Sequence, residues 1–253
     1  MEAQIRTLFA LMMREMATRF GRTSAGFAWA LIEPVGYVAL LSTLFIFMSR
    51  SPPLGPSFPL FYASGFLPYY IFRNISAVTA ASVRYNQSLL TYPNVTPTDT
   101  VLARFLLQFL TNSVIAVVVL AGALMISGYA PKLSVEVIVA AVLLASILGL
   151  GVGALNAVLF HVSPAWERVY LILTHPLFIV SGIFYVPELL PPEMRAVIHW
   201  NPVVHPVSLM RTGVYANYEG ADIDLAYVGL VSVLTLLLGL FFLRAYRARL
   251  TEQ

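Results

Sequence analysis

Few residues in this chain are equipped for chemistry, and their spacing suits binding more than bond-making. Arg73 follows Tyr69 and Tyr70 by about one helical turn inside a long apolar stretch. A cation at the bilayer centre is costly, so Arg73 must face a bundle interior or water, or else snorkel toward the cytoplasmic headgroups. Inside a pore it would meet an anionic substrate. The aromatics around it are Phe58, Phe61, Tyr62, Phe66, Tyr69, Tyr70 and Phe72. An interfacial belt explains those near the outer edge, and ring faces deeper in would also suit the C–H faces of a sugar chain, with tyrosine hydroxyls meeting sugar hydroxyls. Arg211 is a second cation for the same role, so the candidate substrate channel is Arg73, Tyr69, Tyr70 and Arg211.

Bond-making machinery is missing from the pattern. Without cysteine there is no disulfide framework, no thiol nucleophile and no thiolate metal site. No Gly-Lys pair occurs, so no Walker phosphate loop is present, and any ATP must be bound by another chain. His161, His175, His199 and His205 are scattered and form no His-Glu-x-x-His pair, so no metal site is expected. Gly151-Val152-Gly153 falls in an apolar stretch with no strand before it, which suits close helix packing better than nucleotide binding. Asn112 and Asn156 read as bonds between helices, and His175-Pro176 as a kink. The expectation is a chain with no catalytic residue, no metal and no cofactor of its own.

Composition says where these residues must work. Of 253 residues 59% are hydrophobic and only 11% are charged, and the mean hydropathy is +0.81. Soluble domains carry about 25% charged residues, so this surface has to meet lipid. The predicted fold is an all-α integral membrane protein in one domain, residues 1–253. At about 20 apolar residues per span the chain holds about six. They are expected over 29–48, 58–83, 101–127, 135–160, 169–186 and 225–243.

Charge placement orients this stack. Arg6, Arg14, Arg19, Arg22, Arg84, Arg104, Arg168, Arg244, Arg247 and Arg249 fall at one set of ends, against Arg50, Lys132, Arg195 and Arg211 at the other. Ten against four puts both termini in the cytoplasm. The start of the chain is broken by charges, yet Ile5, Leu8, Phe9, Met12, Met16 and Phe20 recur at helical spacing. Residues 1–24 therefore read as an amphipathic helix in the membrane interface rather than a signal peptide. Residues 84–98 form a cytoplasmic loop or short helix bounded by Pro93 and Pro97. Between the last two spans, Pro191-Pro192 and Asn201-Pro202 each open a short amphipathic pattern, giving two re-entrant outer helices over 187–216.

An ordered set of motifs now resembles a known family. Arg14-Glu15-Met16-x-Thr18-Arg19-Phe20-Gly21 precedes Gly26-x-x-Trp29-Ala30-x-x-Glu33-Pro34. Phe58-Pro59-x-Phe61, Gly65-x-x-Pro68 and Ile71-Phe72 follow, then Pro97-x-Asp99-Thr100-x-x-Ala103-Arg104. Trp200-Asn201-Pro202-x-Val204-His205 with Arg211 closes the series. Together they resemble type-two ABC polysaccharide exporters, and among them the KpsM-like capsular-polysaccharide permeases.

The resemblance implies a homodimer of six-span subunits in the bacterial inner membrane, with two ATPase subunits beneath that bind the ATP and Mg. It assigns ATPase contacts to Arg14, Glu15, Arg19, Arg84, Asn86, Gln87, Leu89 and Tyr92. It makes Pro191, Trp200, Asn201, Pro202 and His205 an outer gate. A periplasmic co-polymerase, an outer-membrane polysaccharide channel and a lipid-linked acidic polysaccharide are the further implied partners, with no nucleic acid. His205-Pro206 departs from the pattern and implies a later start for the second gate helix. The runner-up is an exporter of O-antigen or teichoic-acid polymers. A membrane-embedded lipid-modifying enzyme or protease is a different class, disfavoured by the lack of paired catalytic groups, and an ion channel would lack a filter-like repeat.

Overall fold

The computed structural model describes residues 2–20, 26–48, 51–92, 95–129, 133–247 and 250. Gly21, Arg22, Arg50, Pro93, Asn94, Lys132 and Arg249, and the side chains of Ile5, Arg19 and Phe20, lie outside the described residues. Everything described is helix, turn or loop. In chain order the helices are α1 (Glu2–Phe20), α2 (Gly26–Met48), α3 (Phe58–Ala80), α4 (Ser82–Tyr85) and α5 (Pro97–Ser127). After them come α6 (Val135–Val162), α7 (Pro164–Thr174), α8 (Leu177–Val180), α9 (Pro192–His199), α10 (Val204–Val214) and α11 (Leu225–Ala245).

Local chemistry sets the helix ends. α5 starts at a capping box: the Thr96 hydroxyl accepts from the Asp99 amide at 3.2 Å, and the Asp99 carboxylate accepts from the Thr96 amide at 2.9 Å. Pro97 takes the first position, where no amide is needed. Gly128 ends the helix in the left-handed region, φ 61°. α11 starts on Asp224, whose carboxylate accepts from the Tyr227 amide at 2.8 Å.

Among the described residues, four helices are long and apolar enough to cross a membrane: α2 over Ala28–Met48, then α5, α6 and α11. α3 matches them in length but carries Pro68, Arg73 and Asn74, and neighbours enclose nearly all of it. Such a helix is tolerated at membrane depth because protein rather than lipid covers it. The expected fifth span begins earlier than foreseen, at Pro164, and splits into α7 and α8. Pro176 removes an amide there and stops the ladder.

The core gathers around α3 and α6. Leu60, Phe61, Leu67, Ile71 and Ile75 of α3 have no exposed surface. A methyl on Gly149 would stand 2.9 Å from the Phe72 carbonyl oxygen, and one on Gly153 2.8 Å from that of Ser76. Between them Gly151 meets α11 instead, 2.8 Å from the Ser232 carbonyl. The glycine run thus lets two neighbours approach one helix closely, as packing in lipid favours. The two outer helices begin close to the prolines that foretold them. α10 starts at Val204 and takes Pro206 into its first turn, where a missing amide costs nothing, so the proline does not delay the helix.

Candidate functional site

α2, α3, α7 and α8 enclose a groove of about 470 Å³. Tyr37 lines it from α2, Tyr69, Phe72, Arg73 and Ala77 from α3, Tyr170, Leu171 and Thr174 from α7, His175 from the break, and Leu177 and Phe178 from α8. Arg73 is exposed, and its guanidinium makes no hydrogen bond or ion pair among the described residues. Rings line the groove beside it: Tyr69 and Phe178 lie 5.4 Å apart, and Tyr37 stacks on Phe66 behind them at 5.2 Å. The Tyr170 hydroxyl is tied to the Ser76 hydroxyl at 3.0 Å, and Asn156 accepts from the Trp166 indole at 3.0 Å. These bonds fix α7 against α3 and α6. A free cation beside ring faces and hydroxyls suits an anion attached to an apolar or sugar-like body.

The sequence-expected channel set is only partly brought together. Tyr69 and Arg73 share the groove. Tyr70 instead packs between α2 and α3, its hydroxyl 3.5 Å from the Ala30 carbonyl. Arg211 is fully buried and is not among the residues that line this groove. Its Nη1 donates to the Tyr185 carbonyl at 2.7 Å and its Nη2 to that of Ile183 at 3.1 Å, while Cζ sits 4.4 Å over the Phe61 ring. The residue it crowds on α3 is Gly65, eight positions and about 12 Å of helix rise from Arg73. The aromatic run of α3 also departs from a lipid-facing belt, because all seven rings are buried inside the bundle.

Sequence reasoning missed Tyr37, Tyr170, Phe178 and Phe184 as partners of that run. Trp166, Tyr170 and Thr174 recur every four residues, and that stripe was the available signal.

Around α1, α4 and the turn after it, the expected ATPase contacts divide three ways. Arg14, Arg84 and Tyr92 are exposed, Glu15, Gln87 and Leu89 are half-buried, and Asn86 is buried. Several are already engaged within the chain. Arg14 donates to Asn86 at 3.2 Å, Glu15 pairs with Arg104 at 2.6 Å, and Arg84 grips both oxygens of Glu167 at 3.0 and 3.2 Å.

Comparison with known proteins identifies this arrangement. The family described as ABC-2 type transporter matches residues 6–215. The chain belongs to that family. Among curated relatives, the polysialic acid transport protein KpsM of Escherichia coli is 31% identical over 243 residues, covering 96% of this chain and 94% of the relative. The capsule polysaccharide export inner-membrane protein CtrC of Neisseria meningitidis is 29% identical over 239 residues, 94% of this chain and 89% of the relative. BexB of Haemophilus influenzae, with the same description, is 28% identical over 245 residues, 91% of each. This chain is accordingly an ABC-2 transporter membrane subunit.

The α9–α10 hairpin of this ABC-2 chain is held both by side-chain pairs, Arg195 with Asp222 and the Tyr218 hydroxyl donating to Glu188, and by bonds to backbone atoms. The Asn201 amide donates to the Ser181 hydroxyl at 3.2 Å, and its oxygen accepts from the Val203 amide at 3.0 Å. His205 is buried, with Nδ1 accepting from the Asp224 amide at 3.0 Å and Nε2 3.0 Å from the His199 carbonyl. That pair of contacts specifies a neutral ring protonated on Nε2. Burial holds its pKa below the usual histidine value, against the His199 carbonyl, which favours charge. Pro191 and Trp200 are exposed and Pro202 half-buried, so of the expected gate residues His205 alone is interior.

Proposed function

We propose that this chain is the membrane-spanning permease subunit of an ATP-driven exporter that moves lipid-linked capsular polysaccharide out of the cytoplasm across the bacterial inner membrane. The observation that carries the reading is the nearly end-to-end similarity to capsule-export inner-membrane proteins. Two copies work as a homodimer, each crossing the membrane six times with both termini inside. Two ATPase subunits bind the ATP and Mg and dock beneath, on α1 and on the turns between α3 and α5. A periplasmic co-polymerase and an outer-membrane channel receive the polymer.

In this reading the chain works mechanically. Closure of the ATPase dimer presses the cytoplasmic joints, α7 and α8 shift against α3, and the groove changes width. Arg73 meets acidic groups on the passing polymer while Tyr69 and its neighbouring rings slide along sugar faces. Arg211 holds the outer hairpin in place and does not meet the polymer. The first test is to tag the chain, extract it gently, and identify what co-purifies. A stoichiometric ATPase supports the exporter and a co-polymerase beside it supports capsule, whereas a chain that purifies alone in several detergents counts against both. Arg73→Ala should lower export at limiting substrate roughly ten- to hundredfold, the loss of one charge-assisted hydrogen bond, with assembly intact. Unchanged export would remove Arg73 from the path.

A further inference from the structure

One side chain ties the cytoplasmic end together. Arg104 lies two turns into α5, with its side chain about one-tenth exposed. Three elements meet on its guanidinium. Nη2 pairs with Glu15 Oε1 of α1 at 2.6 Å, Nη1 donates to the Val78 carbonyl near the end of α3 at 3.5 Å, and Cζ stands 4.8 Å over the Tyr85 ring of α4. Next to it, Arg14 of α1 holds Asn86 in the turn after α4. A planar fork can serve several partners in fixed directions, whereas a lysine is a single point charge. Glu15 is also largely enclosed, and removing either partner would strand a buried charge, so the joint stays made while its neighbours move.

We infer that Arg104 is a positioning residue for transport, the joint through which α1, the turn after α3 and the start of α5 move as one body when the ATPase presses on them. The inference rests on the exporter reading above. It reassigns Glu15 from a direct ATPase contact to the inner half of this joint. α5 gives the motion a route outward, because its 31 residues span about 45 Å in one unbroken helix.

The test uses the complete exporter, this chain with its ATPase, in capsule-forming cells and in proteoliposomes. Arg104→Gln, Arg104→Lys and Glu15→Gln are compared with the unaltered chain for ATPase retained, ATP hydrolysed and polymer exported. Arg104→Gln and Glu15→Gln should keep the ATPase bound and hydrolysis near its usual rate. Polymer exported per ATP should fall at least about fivefold, the low end of coupling between distant sites. Arg104→Lys, which keeps a charge against Glu15, should recover part of that ratio, which a purely structural role would leave unmoved. An unchanged ratio in Arg104→Gln overturns the joint. So does loss of the bound ATPase in Glu15→Gln, because the pair would then be a docking contact. If Arg104→Gln does not reach the membrane, the ratio in Glu15→Gln decides. An unaltered chain that carries no ATPase would defeat the exporter reading instead.

Discussion

The two ends of this molecule are fastened by different means. At the end that holds α1, the inner one in the reading proposed above, side chain meets side chain: Arg14 with Asn86, Glu15 with Arg104, Arg84 with Glu167. At the opposite end, the outer one in that reading, side-chain pairs also occur, Arg195 with Asp222 and Tyr218 with Glu188, but the two buried anchors grip backbone: Arg211 on the carbonyls of Ile183 and Tyr185, His205 on the His199 carbonyl and the Asp224 amide. Exposed pairs such as Arg84 with Glu167 can lengthen, swap or re-form as helices tilt, while the enclosed Glu15–Arg104 pair stays made. Bonds to carbonyls define where a chain segment sits, and a buried donor without its acceptor is costly. The buried anchors of the α9–α10 hairpin are thus built as a fixed part and the exposed pairs at the other end as adjustable ones.

That contrast is most sharply broken at Arg211. Arg211→Ala leaves two buried carbonyls unmet and an empty volume over Phe61, at a cost of roughly 3–6 kcal/mol from two charge-assisted hydrogen bonds. The thermal midpoint of the detergent-solubilised chain should drop by several degrees, and Arg211→Lys should not restore it, lacking the fork. Gly65→Ala tests the same lock from the other side. Its methyl would lie 2.8 Å from Arg211 Nη2 and 3.2 Å from the Ile183 carbonyl oxygen, an overpacking worth about 1–3 kcal/mol. A variant as stable as the parent would mean the hairpin is not fixed in this way.

Acid should act at the outer end next. Because burial lowers the His205 pKa, the unfolded chain binds the proton more readily than the folded one. The stability this ring contributes is whole above about pH 6.5, its unfolded value, and is lost as pH falls below it. The protection of α9 and α10 amides, taken relative to the intrinsic exchange rate at each pH, should therefore fall between pH 7.5 and pH 5.5 in the intact chain, and His205→Phe should remove that fall. The smallest effect belongs to the inner end. Arg84 and Glu167 are 59% and 30% exposed in their side chains, so Glu167→Gln should change stability by less than about 1 kcal/mol. A large loss would make the inner end as rigid as the outer.

How much of this was legible beforehand depended on the kind of signal. Membrane class came from composition, and the outer pair of helices from Pro191-Pro192 and Asn201-Pro202, since these act locally. The glycines of α6 were readable as packing residues, though not that Gly149 and Gly153 face α3 while Gly151 faces α11. Arg211 was misplaced beside Arg73 because sequence carries charge but not depth: a cation satisfied by carbonyls looks the same as one facing a pore. The partners of Glu15 and Arg84 were equally out of reach, being 89 and 83 residues away. The aromatic core of α3 was visible as a composition and invisible as a contact set, because its other half comes from α2 and the α8 region.

The close approach along α6 has a consequence for motion. With backbone nearly touching backbone on two sides, α3 cannot slide even one residue, about 1.5 Å, without driving a side chain into the glycine track. α3, α6 and α11 therefore form a keel. α2, lightly covered, and the broken pair α7 and α8 are its planking, and the groove runs along the seam where planking meets keel, free to widen without any plank being torn from the frame.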